Sequence, residues 1–360
     1  MALIIHIFVL MRTIKSILAA VSIFLLASCT TGVKTHSTIS ADGHAQFFKV
    51  KDQGGKKIIM SISPMDGSVD SLILDKPVSK IVCMSSSYVA YLSALGCDSV
   101  ITAVSGKKYI SNPAIANVPD IGYDSEIDYE KILALKPDIV LAYSVSSIEP
   151  KYISTLRSLG VKVFMLYEHL EDHPLARAEY VKMFGAMTGK EAKADSIYST
   201  ISKSYLELAS KVKSAKVKSK KVLINIPYAD QWFIPGGENY MSLLVRDAGG
   251  EILGSVAGAH ESSIISLETA YSLSKKADYW INVGWCRNLK QLKSVQPLFS
   301  SFPIKADNIY NNTRRITPGG GNDFWESGAI RADLVLSDMV KMLHPELAGS
   351  DSLYYYFKLQ

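Results

Sequence analysis

Apolar and polar positions along the chain follow two periods, and one mixed pattern occurs twice. From Asp128 to Leu141 the sequence reads DYEKILALKPDIVL, and from Ser266 to Ile281 it reads SLETAYSLSKKADYWI. Each copy opens on a residue suited to capping a helix (Asp128, Ser266), then an apolar residue and a glutamate (Glu130, Glu268). A leucine follows five residues later, then a Lys-x-Asp turn and an apolar run of strand type. Helical spacing followed by a continuous apolar run predicts a helix of two to three turns, a tight turn and a buried strand. Two equivalent units in one chain predict two similar α/β lobes, each with one acidic helix start.

The surrounding pattern fits that expectation. Apolar runs at 80–84, 100–104, 139–143 and 161–167 read as strands, with helical stretches after Ser85 and over 150–159. A second series begins at 221–226 and continues through 279–283 to a helix over 329–343. Such alternation predicts parallel sheets covered by helices. Between the series, 190–214 has no Gly or Pro and places apolar residues at Ile197, Ile201, Leu206, Leu208 and Val212. It predicts one helix of about 25 residues joining the lobes; the competing reading is a surface helix on one continuous sheet. Short alternating segments from Ala45 to about Leu74 predict a hairpin before the main core. The expected organisation is a signal segment at 1–28, a tether and hairpin at 29–76, lobes at 77–189 and 217–347, the joining helix at 190–216 and a tail at 348–360.

Composition narrows the class. The 360 residues are 48% hydrophobic and 20% charged, enough apolar material for two cores. Net charge is +5, and loss of Arg12 and Lys15 with a signal segment leaves about +3, too little and too scattered for nucleic acid. Those two basic residues precede an apolar run ending in Leu26-Ala27-Ser28-Cys29, the layout of a secretory signal, with Met11 as an alternative start. The ending resembles a bacterial lipobox, which implies lipidation of Cys29 and a protein anchored in the cell envelope, facing the periplasm; a plain signal or anchor with a chance cysteine is the other reading. Cys83, Cys97 and Cys286 have no disulfide or zinc spacing.

With lipobox, two lobes, a joining helix and paired glutamates, the chain resembles the class III periplasmic binding proteins, the substrate-binding components of ABC importers for ferric siderophores, haem and vitamin B12. The resemblance runs over roughly residues 77–347 and is most specific at Glu130 to Val140, at Ser266-Leu267-Glu268 and at Phe184-Gly-Ala-Met-Thr-Gly-Lys-Glu191. It implies that Glu130 and Glu268 dock the two lobes on arginines of a permease, and that the protein works as a monomer that binds without chemistry. Spacing alone allows a simpler role, since an acid in a first helical turn is favoured by the helix dipole without any partner.

Ligands in open α/β sheets bind beyond the carboxyl ends of the strands. That rule selects Ser86, Ser87, Tyr88, Lys107, Tyr109, Tyr143 and the run Tyr167, Glu168 and His169 in the first lobe. In the second it selects Tyr228, Trp232, Trp285, Arg287, Arg314, Arg315 and Trp325. Aromatic rings interleaved with arginine suit a flat, anionic guest. A ferric chelate is the leading expectation, a corrinoid the next and haem the third, with His169 as a possible axial ligand. No cofactor and no resident metal are indicated: His169 and His173 stand four apart, but Pro174 breaks the helix that a metal pair would need. Gly319-Gly-Gly321 lacks the Lys-Ser/Thr of a phosphate loop and serves a close approach or sharp turn. Neither a nucleophile elbow nor a zinc-protease motif is present, although an anchored α/β enzyme using the cleft, or an adhesive lipoprotein, would share these features.

Overall fold

The computed structural model describes residues 43–123, 126–146, 149–349 and 352–360. The signal segment, Cys29 and the tether up to residue 42 lie outside the described residues.

The chain opens with three antiparallel strands, β1 (Phe48–Gln53), β2 (Lys56–Ile62) and β3 (Val69–Leu74), in the order β1-β2-β3. The expected hairpin is therefore a meander, whose third strand carries only a weak alternation, with Leu72 buried and Val69 and Ile73 exposed. Phe48, Val50, Ile59 and Leu72 form its inner face. Two buried glutamates pin the entry to it. Glu171 accepts from the backbone N–H groups of Gln46 and Phe47, and Glu179 from those of His44 and Ala45.

The first lobe follows as β4 (Ile81–Cys83), α1 (Ser86–Ala94), β5 (Ile101–Val104), α2 (Tyr129–Leu135), β6 (Ile139–Ala142), α3 (Lys151–Ser158) and β7 (Val163–Met165). Its sheet is parallel in the order β5-β4-β6-β7. Next come α4 (Pro174–Thr188) and the long α5 (Glu191–Ser214). The second lobe contains β8 (Lys220–Ile224), β9 (Trp232–Ile234), α6 (Tyr240–Asp247), β10 (Gly250–Ile252), β11 (Ser263–Ile265), α7 (Leu267–Ser274), β12 (Tyr279–Ile281), α8 (Leu289–Val295), β13 (Ile309–Asn311), α9 (Ala332–Leu343), α10 (Pro345–Ala348) and β14 (Phe357–Lys358). Its sheet runs β10-β8-β12-β13-β14, parallel except for the last strand, while β9 and β11 form a small antiparallel pair.

The repeat read from sequence is structural. Asp128 and Ser266 cap α2 and α7 through their side chains. The aspartates of the two Lys-x-Asp turns then do the same work: Asp138 accepts from Lys80 N at 2.9 Å and Asp278 from Lys221 N at 2.8 Å. Each thereby ties the entry of β6 or β12 to the start of the neighbouring central strand, β4 or β8.

The tyrosine-rich tail is integral to the second lobe. The buried Asp338 carboxylate accepts from the backbone N–H groups of Tyr354, Tyr355 and Tyr356, and β14 then pairs with β13. An N–H cluster converging on one buried acid satisfies groups that would otherwise be costly to bury.

Candidate ligand-binding site

The strand ends and the second lobe together enclose a cavity. After β4, Ser85 caps α1 with its side chain on Ser87 N. After β6 the chain continues as Tyr143 to Ser146, and after β7 as the short turn of 3-10 helix at Glu168–Leu170. Trp325 and Ala329 approach from the second lobe, closing a cavity of about 290 Å³. A neighbouring cavity of about 300 Å³ shares Tyr143 and Val145 and reaches Tyr123 and Tyr152.

Four expected residues meet there: Ser86, Tyr143, His169 and Trp325. Ser87 and Glu168, also among the residues expected beyond the strand ends, shape the wall with them, and Arg177 is the one the sequence reading missed. Ser87 Oγ donates to Glu168 Oε1 at 2.8 Å. Glu168 Oε2 is buried, has no hydrogen-bond partner and faces the equally unpartnered His169 Nδ1 at 3.8 Å. His169 Nε2 donates to Ser144 O at 3.0 Å. Burial pushes the Glu168 carboxyl up, but His169 and the Ser87 hydroxyl outweigh it and hold its pKa below the usual value. Arg177, from the first turn of α4, donates to His169 O at 2.7 Å and to Glu171 O at 3.3 Å, and stacks over Tyr240 of the second lobe at 3.8 Å.

Several expected cleft residues point elsewhere. Tyr88 is fully buried in the core, with its hydroxyl on Ala142 O. Helix periodicity turns it inward although it directly follows the strand end. Trp232 is 1% exposed and stacks on Trp280 and Phe302, with its indole N–H on Ile224 O. Tyr167 is buried beneath the meander, facing Ser63. Lys107 folds back onto its own loop, its ammonium 2.5 Å from Ala116 O. Arg315 is paired with the buried Asp323 at 2.6 Å and lies over Tyr354. Arg287 donates to Thr313 O and lies over Phe357. Tyr228 and Trp285 are 79% and 64% exposed beyond the ends of β8 and β12, and Arg314 is exposed beyond β13; none of the three lines the cavity.

The triple glycine has a different purpose from ligand approach. A Cβ on Gly321 would sit 1.8 Å from Tyr109 O, and one on Gly319 would sit 2.4 Å from Lys108 O. Thr317 Oγ1 donates to Lys108 O at 2.7 Å. The buried Glu326 accepts from Ser111 N at 2.6 Å and Asn112 N at 3.0 Å. Residues 317–326 of the second lobe thus clasp residues 108–112 of the first, backbone against backbone. Tyr109 belongs to that clasp, its ring edge-on to Tyr123.

Glu130 and Glu268 are both exposed in the first turns of α2 and α7. Among the described residues, no group of three or more His, Cys, Asp or Glu is placed to hold a metal ion, and no helix is long and apolar enough to cross a membrane.

Two α/β lobes of the same topology, a joining helix and a cavity between the first lobe's strand ends and residues 325–329 of the second define a two-lobed solute-binding protein. The chain belongs to the periplasmic binding protein family, whose model matches residues 81–311. It is 26% identical over 302 residues to an uncharacterised lipoprotein of Methanocaldococcus jannaschii, covering 79% of this chain and 70% of that one. It is 26% identical over 201 residues to the iron-uptake system-binding protein of Bacillus subtilis, covering 53% and 60%. Among solved structures, a periplasmic heme binding protein from Pseudomonas aeruginosa superposes with a TM-score of 0.62 at 18% identity, covering 79% of this chain and 98% of that one. The protein is therefore a solute-binding protein of the ABC importer type, a group whose members bind their solutes and are not enzymes.

Proposed function

We propose that the protein captures an iron complex in the cavity between its lobes and presents it to an ABC permease through Glu130 and Glu268, while a lipid on Cys29 holds it at the membrane. The observation that carries this reading is the cavity between the lobes, walled by Tyr143 and His169 from the first and Trp325 from the second. Rings on two sides suit a broad chelate or macrocycle better than a small hydrated ion. The iron-uptake relative supports iron over other solutes. Equivalent exposed glutamates on both lobes support docking, where an exposed charge pair governs encounter and register more than affinity. The lipoprotein relative supports the anchor.

Native mass spectrometry of protein purified from its own host tests the reading. An iron-containing adduct, with reversible tryptophan quenching by the same complex and no product, is the expected result. A cobalt-containing adduct with corrinoid absorbance would replace iron by a corrinoid, and a porphyrin band would point to haem. Turnover of the bound molecule would return the cleft to the role of an active site.

A further inference from the structure

Of the three arginines that the sequence offers to an anionic guest, two are committed to the protein itself and Arg314 lies exposed away from the cavity. Arg315 is neutralised by Asp323, and Arg287 is held on a carbonyl and an aromatic ring. Among the described residues lining the two joined cavities, Arg177 is the one arginine and no lysine is present. Its guanidinium already serves two carbonyls and the Tyr240 ring. Against it stands Glu168, 3% exposed, with one oxygen on Ser87 and the other unpartnered in the cavity wall. Burial there weakens screening, so a fixed charge is felt across the cavity.

Resting on the reading of the cavity as the solute site, we infer that Glu168 sets the charge of the cleft, so that it takes a metal complex of low net charge and rejects polyanionic chelates. Glu168 acts through its field and not by touching the solute, because its free oxygen is closed off from solvent by the wall. Arg177 and Glu168 leave the lining near neutrality. Selection then comes from the Tyr143 and Trp325 rings and from hydroxyl groups such as Ser86, which suit a guest with an apolar face and neutral polar edges. Among ferric complexes this describes a neutral hydroxamate type, and it excludes catecholate and citrate types.

The test measures binding of the full chain in detergent, by tryptophan fluorescence, to a neutral ferric tris-hydroxamate, a polyanionic ferric tris-catecholate and cyanocobalamin. Expected is at least roughly tenfold tighter binding of a neutral probe than of the catecholate, with Glu168→Gln cutting that preference by about tenfold. Folding of the variant is checked by its melting curve. A wild-type measurement stands beside it: affinity for the neutral probe should change little with added salt. Preference of the wild type for the catecholate, an unchanged preference in a folded Glu168→Gln variant, or binding of none of the three probes would overturn the inference. Binding of cyanocobalamin alone, with the charge preference tested against anionic corrinoid carboxylates, would sink the iron reading but leave the charge rule standing.

Discussion

Replacing Gly321 with alanine tests whether the two lobes are clasped by close backbone contact. The new Cβ would lie 1.8 Å from Tyr109 O and 2.3 Å from Tyr109 C, both main-chain atoms that no rotamer change can move. The loop must therefore retreat by more than an ångström, since real Cβ contacts under 3.0 Å are essentially never seen. That retreat breaks the Thr317 to Lys108 hydrogen bond and loosens both Glu326 contacts to Ser111 and Asn112. Hydrogen bonds to a charged group contribute about 1.5–3 kcal/mol each and neutral ones about 1 kcal/mol. Partial loss then puts the cost near 3 kcal/mol, a melting shift of roughly 4–5 °C for a chain of this size. Gly320→Ala is the control. It meets no neighbouring atom and carries only the strain of φ +92°, so it should cost about 1 kcal/mol. The assay is thermal unfolding with amide hydrogen exchange read at 108–112. If Gly321→Ala melts like the wild type and exchange there is unchanged, the backbone clasp is not what holds the lobes at this contact.

Glu130→Ala and Glu268→Ala should each leave solute affinity unchanged while lowering transport in cells; a large loss of affinity in a folded variant would place that glutamate in support of the cleft. Asp338→Ala should release residues 354–356 and strip β14 from the sheet, costing about 3 kcal/mol or more and raising proteolysis of the C-terminal residues; an intact, protease-resistant tail would refute that role. Burial raises both Glu171 and Glu326 to about 7 from the ordinary 4.5. Their stabilising contribution is thus complete below pH 4.5 and is lost as pH rises through 7, so stability should fall between about pH 5 and 8. Glu326→Gln together with Glu171→Gln should flatten that slope, and an unchanged slope would show that other groups control it. Cys29→Ser should abolish partitioning into a detergent phase; unchanged partitioning would remove the lipidation.

The features legible in the sequence were local and periodic. The recurring cap, helix, turn and strand announced two equivalent lobes, because capping residues and a buried strand leave their mark within sixteen or so neighbouring positions. The uninterrupted run around Ile197 to Val212 announced the joining helix, seen at Glu191–Ser214. The strand-end rule placed Ser86, Tyr143, His169 and Trp325 at one cavity. The helix Pro174–Thr188 escaped notice because it is buried nearly all round, which erases the amphipathic period that betrays a surface helix. Its burial also hid Arg177, whose meaning depends on Tyr240, 63 positions along the chain. Folding alone settled which strand-end side chains face the cleft, since two steps along α1 separate Ser86, which lines the cavity, from fully buried Tyr88, which does not. Only it could show that Arg315 has a buried partner, that the tail beyond the tyrosines adds a fifth strand, and that Gly319 and Gly321 make room for another lobe's backbone. Those outcomes rest on contacts between distant segments, and a contact of that kind leaves no periodicity in either segment alone.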